Sequence, residues 1–156
     1  TGAAAGARAM SDGNWMQDAV RTFHKAMNQP APDRFDPTTF RAELRAKLIL
    51  EEAGETVNAL GYDIMIAPDG EWRLEKVCDP DWPEVVDGLC DLLYVTFGTA
   101  VEAGVSLSSF FYEVHRSNMT KPGGPVREDG KVLKPPTWEP PRIKYLWDRV
   151  VERAAD

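Results

Sequence analysis

Apolar residues return every three or four positions along most of this chain, the spacing of one face of an α-helix. A first helix is predicted over roughly 14–28, ended by Pro30 and Pro32. A second opens at Asp36-Pro37-Thr38, where Asp36 or Thr38 can cap it. Its apolar positions recur to Leu60, and Gly61 stops it. The helical period then breaks. Ile64-Met65-Ile66 and Trp72-Arg73-Leu74 flank Pro68-Asp69-Gly70, which predicts a small hairpin. A third helix is predicted from about Pro83 to Ala103, on the recurrence of Val85, Leu89, Leu92 and Phe97. Gly104 separates it from a fourth over about 106–119, with Ser106 as cap candidate. A Gly/Pro-rich loop leads to a last short helix over about 141–153. No repeat or linker divides the chain. The pattern is all-α: a four-to-five-helix bundle with a possible hairpin between helices two and three.

Composition narrows the class. The 156 residues suffice for one domain with its own core, placed here at 10–156. Thr1–Ala9 reads as a cloning scar ahead of a native start at Met10, without the apolar core of a signal peptide. No apolar run approaches the roughly 18 residues that span a bilayer, so no membrane partner is expected. Cys78 and Cys90 are the only cysteines, and neither has zinc-site spacing. Cys90 falls in the apolar pattern and is predicted to be a buried free thiol, which fits a reducing, cytoplasmic setting.

Charge changes the picture further. The net charge of −7 argues against a nucleic-acid partner. Residues 115–134 nevertheless carry +3, from Arg116, Lys121, Arg127, Lys131 and Lys134 against Glu128 and Asp129, so the remainder carries −10. A basic segment on an acidic protein suits a small anionic ligand.

The acids are distributed unusually. Glu51 and Glu55 lie one turn apart on one face of the second helix, with Glu52 on their flank. Ala42, Ala46, Ile49, Leu50, Ala53, Val57 and Leu60 lie roughly opposite and form its predicted core face. Taken alone, the acids fit a solvated face equally well, and Lys47 stands where it could pair with Glu51. The third helix weighs against that. Glu84, Asp87 and Asp91 fall within an arc of roughly 60° on the helical wheel. No Lys or Arg occurs between Lys76 and Arg116. Past Asp91 the stripe continues as Tyr94, Val95 and Gly98, which predicts a covered face. Crowded carboxylates repel unless a cation or a proton intervenes. Carboxylates without Cys or His select oxygen-loving Mg²⁺ or Mn²⁺, which keep waters and bind phosphates. Lys121, Lys131 and Lys134 could then hold phosphate oxygens.

These residues resemble a known family. Glu51-Glu52-x-x-Glu55 with the Asp87/Asp91 helix resembles the two-helix acidic motif of the MazG-like all-α nucleoside triphosphate pyrophosphohydrolases. The stretches Asp91–Gly98 and Glu113–Lys121 resemble its dimeric, dUTPase-like subgroup, which has phage relatives acting on dGTP. The likeness covers about 38–137. It implies the reaction (d)NTP + H₂O → (d)NMP + PPi, with dGTP or dUTP favoured. It also implies two or three Mg²⁺ or Mn²⁺ ions on Glu51, Glu55, Asp87 and Asp91, with Glu52 as general base. Asn118 would contact phosphate or sugar, and Lys121, Lys131 and Lys134 would hold phosphates. A homodimer or higher homo-oligomer is expected. The chain departs from the family at Gly88, where a Glu would precede Asp91; the role passes to Asp87, with Glu84 as the other candidate.

Several residues keep a plainer reading. Trp15, Trp72 and Trp138 could stack on a base, but tryptophan is as readily core or dimer contact. His115 and Arg116 read as surface residues. Two other functions stay open: a metal-dependent nucleotide sensor without turnover, and a helical dimerisation scaffold.

Overall fold

A computed structural model describes residues 14–155; the predicted cloning scar at 1–9 and start at Met10 lie outside the described residues. The elements in chain order are α1 (Trp15–Ala26), α2 (Ala42–Ala59), β1 (Tyr62–Ile66), β2 (Trp72–Lys76), α3 (Trp82–Ala103), α4 (Ser108–Asn118) and α5 (Ile143–Ala155). The all-α architecture with one small hairpin between the second and third helices matches the hydrophobic pattern. No described helix is long and apolar enough to cross a membrane.

Helix ends moved where local chemistry offered something better than a cap. Asp36 Oδ1 accepts from Thr38 N at 2.9 Å and from the Thr38 hydroxyl at 2.6 Å. That closes a local turn, so Asp36 caps nothing, and α2 begins at Ala42, three residues later than Thr38, the nearer cap candidate, would place it. Arg41 stands at its entry, its backbone N–H donating to Glu102 of α3 at 2.8 Å. Ser106 is likewise not a cap. The Leu107 N–H donates to Gln17 of α1, and Gln17 Nε2 donates to Val105 O at 2.6 Å, so a side chain of α1 organises the start of α4. On α3, Asp81 accepts from Glu84 N and Pro83 occupies the first turn. Gly104 closes α3 in the left-handed region at φ 70°, where a β-carbon would collide with Arg34 O.

The hairpin pairs Tyr62 with Lys76, Asp63 with Glu75, Ile64 with Leu74, Met65 with Arg73 and Ile66 with Trp72. Gly70 takes φ 83° in its turn, as the Pro-Asp-Gly sequence requires.

Three contacts fix how α2 and α3 meet. A β-carbon on Gly88 would touch Thr56, one on Gly98 would touch Arg45, and Glu102 bonds Arg41 and Arg45. Positions rise on one helix as they fall on the other, so the pair is antiparallel. The stripe that α2 turns toward α3 therefore contains Arg45, Glu52 and Thr56. This corrects the predicted core face: Ala42, Ala46, Leu50 and Leu60, assigned to it, are exposed. Arg45 must reach the fully buried Glu102, and that ion pair rotates α2 away from its apolar side. Burial pushes the Glu102 carboxyl up, but hydrogen bonds from Arg41 and Arg45 outweigh this and hold it down to about 2.

The buried aliphatic side chains are small: Val20, Val85, Ala100 and Val101, with Ala67 in the hairpin. Cys90 is a free thiol as predicted but is exposed, because α1 covers α3 only toward its C-terminal half.

Candidate active site

The antiparallel register places the two acidic clusters opposite each other. With Thr56 at Gly88 and Arg45 at Gly98, one helical turn back from Thr56 brings Glu52 level with Asp91. The electrostatics agree: the Glu52 carboxyl is raised, first by burial and then by the charges of Asp91, Glu55, Glu51 and Asp87. All five acids of the predicted site thus form one negative neighbourhood. Glu52 is half-buried, while Glu51, Glu55, Asp87 and Asp91 are exposed. Glu84 lies in the first turn of α3.

Among the described residues, none of the five acids has a cationic partner. Lys47, the one local candidate, pairs with Glu43 at 2.6 Å instead of with Glu51. No described Lys or Arg lies within ion-pair distance of Glu51, Glu52, Glu55, Asp87 or Asp91. Burial does not make these acids costly, because four of the five are exposed. Mutual repulsion does, and a hard cation is the species that relieves it. The donor set is all carboxylate, which fits Mg²⁺ or Mn²⁺ and not zinc. Among the described residues, however, no three Asp, Glu, His or Cys side chains converge closely enough to cage an ion.

Gly88 is explained by its neighbour. Thr56 fills the space in front of it, with Oγ1 2.8 Å from where a β-carbon would stand. The Thr56 hydroxyl is fixed in turn by donating to Glu52 O at 2.7 Å. A carboxylate at position 88 has no room, so Asp87 and Asp91 are the α3 acids on this side.

Beside the acids lies an open cavity of about 460 Å³, bordered by Gly54 and Asn58 of α2 and by Asp63, Met65 and Glu75 of the hairpin. Asn58 continues the Glu51–Glu55 stripe by one turn. A second, apolar groove of about 190 Å³ separates α1 from α3 and is lined by Trp15, Met16, Cys90, Leu93, Tyr94 and Phe97. Of the three tryptophans considered for base stacking, only Trp15 borders one of these two spaces. Trp72 is exposed on the hairpin, and Trp138 lies under Lys134 at 3.8 Å.

The basic segment is held by its own set of ion pairs. Glu113 of α4 receives hydrogen bonds from Arg116 and Arg142, and these hold its carboxyl well below the usual range. Arg116 also meets Glu139, and Ser117 donates to Glu139 O at 2.7 Å. Both ends of the 119–141 loop are thereby clamped to the α4–α5 arm. Arg127 is taken up by Asp129. Lys121, Lys131 and Lys134 keep no carboxylate partner among the described residues. No hydrogen bond or ion pair joins them, or Asn118, to the acids of α2 and α3. One protomer brings the five acids together, and none of the four proposed phosphate contacts is bonded to them.

Sequence reasoning missed the Arg41–Arg45–Glu102 cluster and the Glu113 clamp. Glu102 is, like Asp91, a charge in the otherwise apolar run of α3, and that signal could have found it. His24, left unassigned, is buried against this cluster, and its Nδ1 shares a hydrogen bond of 2.9 Å with Pro30 O.

A family model described as phosphoribosyl-ATP pyrophosphohydrolase matches residues 20–118. The match runs from within α1 to the end of α4, includes both acidic helices, and ends before the basic loop. No curated protein matches the chain.

Proposed function

The chain belongs to the phosphoribosyl-ATP pyrophosphohydrolase family, within the MazG-like all-α superfamily, and we propose that it hydrolyses a deoxynucleoside triphosphate to the monophosphate and pyrophosphate. Membership makes it a hydrolase of phosphorus anhydrides acting on nucleotide triphosphates. The finer reading, a deoxynucleotide with dGTP or dUTP favoured, is ours. The observation that carries metal-dependent hydrolysis is the meeting of Glu51, Glu52, Glu55, Asp87 and Asp91 across α2 and α3 with no cation among them in the described residues.

Glu51, Glu55, Asp87 and Asp91 would hold two or three Mg²⁺ or Mn²⁺ ions, which when bound neutralise phosphate charge as Lewis acids. Glu52 faces α3 from the inward stripe and is set apart from the exposed acids, so it is placed to orient a water and take its proton. The water oxygen attacks the α-phosphorus, the bond from that phosphorus to the bridging oxygen breaks, and pyrophosphate leaves with the electron pair. Lys121, Lys131 and Lys134 would neutralise the two distal phosphates, and Asn118 would donate to phosphate or sugar. A homodimer or higher homo-oligomer in the cytoplasm completes the reading, with no nucleic-acid or membrane partner.

A panel of the canonical dNTPs and NTPs, dUTP and phosphoribosyl-ATP, assayed for pyrophosphate with Mg²⁺ and with Mn²⁺, tests it. Preference for dGTP or dUTP is expected. A preference for phosphoribosyl-ATP moves the chain to the reaction that names the family. Nucleotide binding without turnover leaves a sensor, and neither binding nor turnover leaves a helical scaffold.

A further inference from the structure

Metal binding and water activation make no use of the cavity of about 460 Å³ beside the acids. Its border holds two features that weaken the fold and that packing does not explain. The first is Gly54. It sits in the interior of α2, where glycine is less favourable than alanine. Gly88 and Gly98 make room for Thr56 and Arg45, but a β-carbon on Gly54 would meet nothing within 4 Å. The space in front of Gly54 is the cavity itself. The second feature is the pairing of Asp63 with Glu75 directly across the hairpin. Like charges in that position repel. Among the described residues neither has a cationic partner. The nearby cations are taken: Arg73 pairs with Asp69 at 3.3 Å and Lys76 with Asp79 at 3.0 Å.

The alternation of the strands puts Asp63, Met65, Arg73 and Glu75 on one face of the hairpin. Asp63, Met65 and Glu75 border the cavity opposite Gly54 and Asn58 of α2. Asn58 offers an amide donor, while the two carboxylates only accept. Guanine presents the complement of that set: O6 accepts, and N1–H and the 2-amino group donate side by side. Uracil and thymine would set two carbonyl oxygens against the carboxylates. Adenine and cytosine offer one amino group next to a bare ring nitrogen, which carboxylates repel. Met65 supplies apolar surface for the face of a ring. The position also suits a nucleotide. Asn58 lies three residues beyond Glu55, about 4.5 Å along the helix axis, so a sugar can lead from phosphates at the acids to a base in the cavity.

We propose that this cavity is the base site and that Asn58, Asp63 and Glu75 select guanine. This rests on the hydrolase reading above for where the phosphates lie, and it narrows the substrate to a guanine nucleoside triphosphate.

Binding, measured apart from turnover, tests it. Calorimetry with Mg²⁺ uses the α,β-imido analogues of dGTP, dITP and dUTP, which resist cleavage between the α- and β-phosphorus. Hypoxanthine differs from guanine only in lacking the 2-amino group. The wild type is expected to bind the dGTP analogue roughly tenfold tighter than the dITP analogue, the size of one good base contact. Asp63→Asn/Glu75→Gln alters two exposed side chains and should close that gap. Gly54→Leu should fill the cavity and weaken the dGTP analogue by about tenfold or more. Gly54→Ala should melt above wild type, because nothing in the fold needs glycine there. Equal binding of the dGTP and dITP analogues by wild type, a gap that survives the double change, or undiminished binding by folded Gly54→Leu overturns the proposal. Pyrophosphate release by the wild type is scored separately. Release without preference for guanine sinks the base assignment alone, and guanine-selective binding without release sinks the hydrolase reading alone.

Discussion

Thr56 occupies the place that a side chain at Gly88 would need: a β-carbon there would stand 2.8 Å from Thr56 Oγ1 and 3.2 Å from its α-carbon. The two helices that carry the acids pass close together at this pair. Adding a methyl in Gly88→Ala should push them apart and lower stability by about 1–3 kcal/mol, as overpacking does. Thr56→Ala in the same background should restore part of the loss, because it removes the closest atom. Denaturant midpoints of the single and double variants check this. A neutral Gly88→Ala would mean that the pair does not set the helix spacing.

Glu102 holds Arg41 and Arg45 in the interior. Glu102→Gln removes the charge and leaves buried Arg45 without its partner, which should cost about 3–5 kcal/mol. The pH dependence follows in sign. The folded carboxyl is held down to about 2 from an ordinary 4.5, so its contribution is present above 4.5 and lost as pH falls toward 2. Thermal melts at descending pH should show stability falling through this window, with a shallower slope in the Gln variant.

His24 acts in the opposite pH direction from an exposed histidine. Burial lowers its pKa from 6.5, the bond to Pro30 O works against that, and Arg45 adds to the lowering. The unfolded chain takes up a proton below 6.5 that the folded chain resists, so stability should fall as pH drops from 7 to 5. Replacing His24 by Gln should flatten that slope. An unchanged slope would mean that His24 is protonated in the fold.

How far the sequence alone reached can be read from particular residues. The helices and the hairpin were legible because their signals are local: apolar spacing, Pro-Asp-Gly, and Gly104. The acid pairing of α2 with α3 was legible because each cluster is visible on its own helix. The inward face of α2 was not, since Leu50 looks more core-like than Arg45 until Glu102 is known to be its partner, 57 residues away. Asp36 and Ser106 misled for a similar reason. A cap candidate can serve a local turn, or be displaced by a distant side chain such as Gln17. The ties of the basic loop to α4 and α5 run through Glu113 and Glu139, which no spacing announces.

The crowding of acids predicts a reversal of sign with metal. In EDTA, Asp91→Asn relieves repulsion and should raise the melting temperature slightly. With millimolar Mg²⁺ the wild type should gain stability through binding, and the variant should gain little. Equal shifts in both proteins would remove Asp91 from the metal site.

Glu52→Gln keeps size and hydrogen bonding but cannot take a proton. It should lower kcat by roughly 10²–10⁴-fold, the usual contribution of a general base, while the Mg²⁺-dependent thermal shift persists. Loss of that shift would make Glu52 a ligand instead.

The central claim is hydrolysis at the α-phosphorus by the acids of α2 and α3. It is tested most directly by running the reaction in ¹⁸O-water with Mg²⁺ and identifying the labelled product by mass spectrometry. The account predicts pyrophosphate without label and a nucleoside monophosphate carrying one ¹⁸O, with all turnover lost in EDTA. Orthophosphate and nucleoside diphosphate as first products, or label in the pyrophosphate, would contradict it.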